Sequence, residues 1–162
     1  MPIQLKTLEA AHVRGIGAWL AVVRTYQTCS ETLSLGIKPL GLKLAQHDVL
    51  MHLLLGQALT QQQLAERSYV TKSHMSALLI EMQALGWIDR IGSETDKRSK
   101  VIALTEQGMA LAQQAWQLQE RVIQTMMASL SDAQIEDLQR FSVRAHQDLL
   151  AFQQVLGAGG ET

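Results

Sequence analysis

The sequence predicts a mostly α-helical fold carrying one small β-hairpin. Three observations predict it. Aromatics are only 4% of the 162 residues, Pro occurs twice, and Ala, Leu and Gln abound, a composition that favours helix. Apolar residues three and four apart recur through most of the chain. From residue 87 to residue 105 the period changes to alternation, on either side of a polar loop.

Residues 7–33 read as one long helix, with Ile16, Leu20 and Val23 on one stripe and Gly15 and Gly17 weakening its start. Gly36 and Pro39 break the pattern, so LSLGIKPLG reads as a linker. Residues 45–55 read as a short buried helix whose core candidates are Val49, Leu50, Leu53 and Leu54. Thr60 with Gln63 fits a capping box and opens a helix ending near Ser68. Thr71 caps a further helix to about Leu85, and Gly86 stops it. Its inward side is Met75, Leu78, Leu79 and Met82.

WIDRI and SKVIALT then alternate like half-buried strands and flank the polar loop GSETDKR. Thr105 ends the second strand and caps a long helix from Glu106 to about Met127, with Met109, Ala112, Trp116 and Ile123 on its apolar face. Ser131 and Gln134 form another capping box. The last helix carries Ile135, Leu138, Phe141, Ala145, Leu149, Phe152 and Leu156 as one stripe, and GAGGET reads as a flexible tail.

Composition narrows the class. The chain is long enough for one domain with a sizeable core. No apolar stretch approaches the ~20 residues of a membrane span, and MPIQLKTLEAAHVRG lacks the apolar run of a signal peptide. Cys29 is the one thiol, so an internal disulfide is excluded and the expected compartment is the cytoplasm. The net charge of −1 argues against an indiscriminately basic nucleic-acid coat, though the local field matters more than the total. Between Thr60 and Thr105 the basic residues Arg67, Lys72, Arg90, Lys97, Arg98 and Lys100 nearly balance Glu66, Glu81, Asp89, Glu94 and Asp96. The functional reading therefore rests on where the charges fall.

Helix, turn, helix, strand, charged loop, strand is the order of a winged helix-turn-helix, a module that binds duplex DNA. The second helix would enter the major groove by its N-terminal residues, Thr71, Lys72, Ser73, His74 and Ser76. Free amides at that helix end suit a phosphate. Arg98 at the wing tip suits the narrow minor groove, and Asp96 can fix its guanidinium by paired hydrogen bonds. Lys97 and Lys100 suit phosphates. Taken singly, TKSHMS is equally a capped surface helix start and GSETDKRSK a solvated hairpin. Their order and spacing favour the joint reading.

From about Leu40 to Leu111 the chain resembles the MarR family of bacterial transcriptional regulators. GLKLAQHDVLMHLL is similar to the family's segment before the helix-turn-helix. LTQQQLAERSYVTKSHMSALLIEMQALGWIDR is similar to its helix-turn-helix and first wing strand, and DKRSKVIALTEQG to its wing signature and the next helix start. Asp96 and Arg98 followed by LTEQG are the most specific part. The chain departs from the family at Ala77, where a polar or basic residue is frequent.

The resemblance implies an obligate homodimer. Residues 1–39 and 106–162 would form its helical dimerisation region, and residues 40–105 the DNA-binding lobe. Each subunit would offer one winged helix to a half-site of a pseudopalindromic operator, the half-sites roughly 10 bp apart. It also implies a repressor released by a small molecule, often a phenolic or aromatic acid. The alternative is a winged-helix protein-interaction module that does not bind DNA.

A ligand pocket in this family lies between the dimer helices and the DNA-binding lobe, which makes Trp19, Tyr26, His47, Met51, Met109 and Trp116 candidates. Large apolar groups on helices are more often plain packing or dimer interface. Arg90 suits a ligand carboxylate, a phosphate or a neighbouring acid. Cys29 lacks a basic neighbour one helical turn away and has Glu31 near it, so a structural thiol is the default over a redox sensor. His47 and His52 are five apart, off a shared helix face, and a zinc site needs three or four convergent ligands, so no metal is expected. No phosphate loop or nucleophile motif occurs, Glu136 and Asp137 read as a solvated face, and neither an enzyme nor a cofactor is expected.

Overall fold

The computed structural model describes residues 13–56, 58–92 and 100–158. Helix α1 spans Ile16–Ile37, and Gly15 precedes it with a left-handed φ of 88°. The expected helix start at 7–12 lies outside the described residues. The expected linker is a correction: α1 runs on through Gly36 to the buried Ile37, and a 3-10 turn, Lys38–Leu40, carries Pro39. Gly36 sits close against the Leu118 side chain of a later helix, which would have to shift to admit a Cβ. Packing overrides the low helix propensity of glycine.

Helix α2, Leu44–Gly56, buries Gln46, His47, Val49, Leu50, Met51 and Leu53, while Leu54 packs against the core from a half-buried position. A short strand β1, Leu59–Thr60, leads into α3, Gln61–Arg67. The capping box forms as expected: Gln63 N donates to Thr60 Oγ1 at 3.2 Å, and Thr60 N donates to Gln63 Oε1 at 2.9 Å. Helix α4 is Lys72–Ala84, capped by Thr71, whose Oγ1 accepts from His74 N at 3.2 Å.

Strands β2, Ile88–Gly92, and β3, Lys100–Leu104, pair antiparallel, and β1 adds to the free side of β3. The sequence reading had no β1, since two residues carry no alternation; Leu59 opposes Ile102 and Thr60 opposes Val101. The WIDRI alternation also shifts. Ile88 is buried and pairs with Leu104, Arg90 is half-buried opposite Ile102, and Ile91 is exposed. Trp87 precedes the ladder and is itself buried.

Helix α5 is Glu106–Met127 and α6 is Asp132–Ala158. Thr105 ties the start of α5 to the end of α4: its hydroxyl donates to Gly86 O at 2.7 Å and accepts from Gly108 N at 3.0 Å. The Ser131–Gln134 box at the start of α6 is present in both halves.

Leu50, Leu64, Met75, Leu79, Met82, Ile88 and Ile102 make the dry centre of the winged helix. Burying each contributes about 1.5–3 kcal/mol. The chain divides into two compact units, residues 1–122 and 123–162. In the second, α6 has no buried residue, and Phe141, Leu149, Phe152 and Leu156 are exposed. In the first, α1 exposes Trp19, Val22, Tyr26 and Leu35. No described helix is long and apolar enough to cross a membrane.

Candidate nucleic-acid interface and an adjoining cleft

The helix-turn-helix is framed by two helix ends. Helix α3 ends in a Schellman motif, with Val70 N donating to Ala65 O at 3.1 Å and Tyr69 N to Glu66 O at 3.3 Å. The residue in left-handed conformation is Tyr69, φ 52°, where such a motif favours glycine. The same motif ends α4 through Gly86, φ 74°, with Trp87 N on Met82 O at 3.1 Å.

Between these ends, α4 turns Met75, Leu78, Leu79 and Met82 into the core, all buried as expected. Thr71, Lys72, Ser73 and His74 are exposed on its first turn, and Ser76 is half-buried. The Thr71 hydroxyl is engaged with His74 N and lies 3.1 Å from Ser73 Oγ, so its first task is capping. Exposed Ala77 and Ile80 continue the outward side.

Lys43, Gln46 and Glu81 hold α4 from behind. Glu81 Oε1 accepts from Lys43 Nζ at 2.7 Å and from Gln46 Nε2 at 3.2 Å. Gln46 is buried and its Oε1 takes Lys43 N at 2.9 Å. The Lys43–Glu81 contact is solvent-exposed and contributes about 0–1 kcal/mol, so its value lies in fixing where the helix sits. Sequence reading missed this group, because its members lie 35 and 38 residues apart.

At the wing, Asp96, Lys97 and Arg98 lie outside the described residues, as does the side chain of Lys100, whose backbone opens β3. Arg90 is placed on the face of β2 that also carries Ile88.

Beside the helix-turn-helix is a cleft of ≈ 670 Å³ bounded by α1, α2, the α3–α4 turn, the start of α4 and Gln119 of α5. That volume is in the range of small-molecule sites, about 300–1,000 Å³. It brings together three of the six candidate effector residues, Tyr26, His47 and Met51. Trp19, Met109 and Trp116 are not in its lining. Trp19 is exposed on α1, Met109 is partly exposed on α5, and Trp116 packs half-buried against the core.

The cleft also holds polar atoms that sequence reading did not single out. His47 Nε2, Ser68 Oγ and Gln119 Oε1 are buried without a hydrogen-bond partner, and all three residues line it. His47 is only 4% exposed. Burial pushes its imidazole pKa below the ordinary value, against an opposing pull from Asp48. His52 Nε2 lies 3.6 Å from Asp48 Oδ1 in the same lining. Among the described residues no three His, Cys, Asp or Glu side chains gather as a metal site, and Cys29 is half-buried on α1.

This geometry defines a winged helix-turn-helix protein. Residues 40–99 match the family model described as MarR family. Uncharacterized HTH-type transcriptional regulators of Bacillus cereus and Bacillus anthracis are 35% identical over 97 residues, 60% of this chain. The chain spans 64% of the length of these curated relatives. Among solved structures, AbsC, a MarR family transcriptional regulator from Streptomyces coelicolor, superposes with a TM-score of 0.75 at 19% identity, covering 83% of this chain and 93% of that one. A mutant MarR from E. coli complexed with operator DNA gives 0.69 at 22%, over 80% and 94%. A Mycobacterium tuberculosis MarR family protein in complex with salicylic acid gives 0.64 at 26%, over 83% and 98%. The winged helix-turn-helix of this chain is similar to that of MarR family proteins.

Proposed function

We propose that this chain is a dimeric, sequence-specific DNA-binding regulator of transcription. Residues 40–105 serve as its DNA-binding lobe, and the helices of 1–39 and 106–162 join two copies. The observation that carries this reading is the first turn of α4, where Lys72, Ser73 and His74 are exposed and the following Met75 anchors the helix in the core. A helix held in that way can enter a major groove without rearranging.

In this reading Ser73, His74 and Ser76 reach base edges, Thr71 fixes the helix end, and Lys72 meets a phosphate. Arg98 enters the minor groove with Asp96 holding its guanidinium, while Lys97, Lys100 and Arg90 neutralise phosphates. The operator complex of the similar E. coli MarR supports DNA as the partner. The exposed apolar residues of α1 and α6 support a second copy of the chain, since a 27-residue helix with nothing buried gains no packing on its own.

The regulator acts as a repressor released by a small ligand held at Tyr26, His47 and Met51. The salicylic acid complex of the M. tuberculosis protein supports a ligand-responsive reading. The cleft wall includes the α3–α4 turn and His74, Met75 and Leu78 of α4. A ligand that prefers one placement of this turn shifts the population of DNA-competent dimers by its differential affinity. Trp19, Met109 and Trp116 then belong to packing and dimer contact.

The test is fluorescence anisotropy with duplex from upstream of the chain's own gene and a scrambled control, across a salt series. Selective, salt-weakened binding is expected, and Arg98→Ala should lose it while the dimer persists. Undiminished binding by Arg98→Ala removes the wing assignment. Absence of binding to any duplex at low salt points instead to a protein-interaction module.

A further inference from the structure

The outward side of α4 turns apolar beyond its first turn. Ser73, Ala77, Ile80 and Ala84 are spaced four, three and four apart, and all four are exposed. At 3.6 residues per turn they fall within about 60° of one another, opposite the buried Met75, Leu78, Leu79 and Met82. Ile80 is 61% exposed. A single exposed isoleucine is ordinary on a protein surface. This one stands in line with Ala77, on the helix assigned to the major groove. Its branched side chain is a poorer helix former than Ala, and it buries little against the chain's own core, so α4 itself gains little from it.

The polar inventory of the same helix is short. Bases are read from the major groove by Arg or Lys at guanine and by Asn or Gln at adenine. From Lys72 to Ile80 the only residue of these types is Lys72, at the first position of α4. Glu81 is the one acidic residue of α4. Its carboxylate accepts from Lys43 Nζ at 2.7 Å and Gln46 Nε2 at 3.2 Å, so its charge is met within the protein. What the outward side of α4 offers to the floor of a groove is hydroxyl, imidazole and methyl surface.

The major groove presents one apolar group, the C5-methyl of thymine, which cytosine lacks. Ser73 to Ile80 covers roughly 10 Å of helix, the length of about three base-pair steps. Two apolar side chains within that length can each cover a methyl.

We infer that Ala77 and Ile80 are specificity-determining residues, which select A·T pairs in each half-site by packing against thymine C5-methyl groups. The inference rests on the DNA-binding reading above and deepens it, since it assigns base selection to two side chains that have no hydrogen bond to offer.

The probe is the duplex that the purified full chain enriches most strongly from a random library. It is synthesised twice, once with thymine and once with deoxyuridine in both half-sites. Uracil pairs with adenine as thymine does and lacks only the methyl. Fluorescence anisotropy at one salt concentration gives both affinities. The uracil duplex should bind more weakly by about fourfold for each methyl covered, the equivalent of one buried methylene. Ile80→Ala, at an exposed position where Ala is the better helix former, should shrink the ratio between the two duplexes by about twofold or more. Ala77→Arg should move the base selected at the facing position from A·T toward G·C, because a guanidinium matches guanine O6 and N7. A purely structural role at either position would leave base preference unchanged. A selected half-site without thymine, or equal affinity for the two duplexes, overturns the inference. So does an undiminished ratio in well-folded Ile80→Ala together with unchanged base selection by Ala77→Arg. Selective binding without a methyl effect removes this inference alone. If the chain retains no duplex from the library, the regulator reading fails with it, and the stripe becomes a surface for a protein partner.

Discussion

Lys72 and His47 show how single side chains carry the two halves of the account. Lys72 is exposed at the first turn of α4, where its charge is assigned to a phosphate. Lys72→Ala should weaken binding to all duplexes similarly and flatten the slope of log affinity against log salt by about one per subunit. Anisotropy at four or more salt concentrations reads both. His47 carries the pH dependence. Its folded pKa is lowered from 6.5, so above 6.5 it is neutral in both the folded and the unfolded chain and costs nothing. As pH falls below 6.5 the unfolded chain takes up a proton that the folded chain resists. Stability should therefore drop from pH 6.5 down through the folded pKa. Urea unfolding between pH 5 and pH 7.5 should show an acid-side decline that is smaller in His47→Gln. An equal decline in both proteins would remove His47 as its source.

At the scale of elements, the caps explain why so much of the helical pattern was legible. Thr60–Gln63, Thr71, Thr105 and Ser131–Gln134 each bond as the sequence pattern implies, because a cap is a local event within three residues. What was not legible depends on distant partners. Helix α1 continues through Gly36, which packs against the Leu118 side chain, and β1 pairs with the edge that β3 offers it. The Gln119 and Ser68 atoms in the cleft were invisible for the same reason: neither residue belongs to a local motif. Gly108 is the residue of LTEQG with the clearest physical demand, since a Cβ there would run into the Trp87 carbonyl. Gly108→Ala should destabilise by about 1–3 kcal/mol through overpacking at this junction. Gly86→Ala, in left-handed backbone, should cost about 1–2 kcal/mol. Urea denaturation of each variant gives the values, and neutral behaviour of Gly108→Ala would contradict the close approach of α5 to Trp87.

For the whole molecule, the exposed apolar residues of α1 and α6 make oligomeric state the next quantity to establish. Phe152 is 57% exposed on a helix with nothing buried. Phe152→Glu should raise the dimer dissociation constant at least ~10-fold, since a charge moved into an apolar interface is unpaired. Sedimentation velocity over a concentration series measures it, and an unchanged dimer would place the contact elsewhere. A dimer with one recognition helix per subunit imposes symmetry on its target. That requirement is the central claim, and selection from a random duplex library by the purified chain tests it most directly. The account predicts enrichment of an inverted repeat with half-sites about 10 bp apart, bound more weakly as salt rises. Recovery of no common sequence at low salt, or of a site without two-fold symmetry, would contradict it.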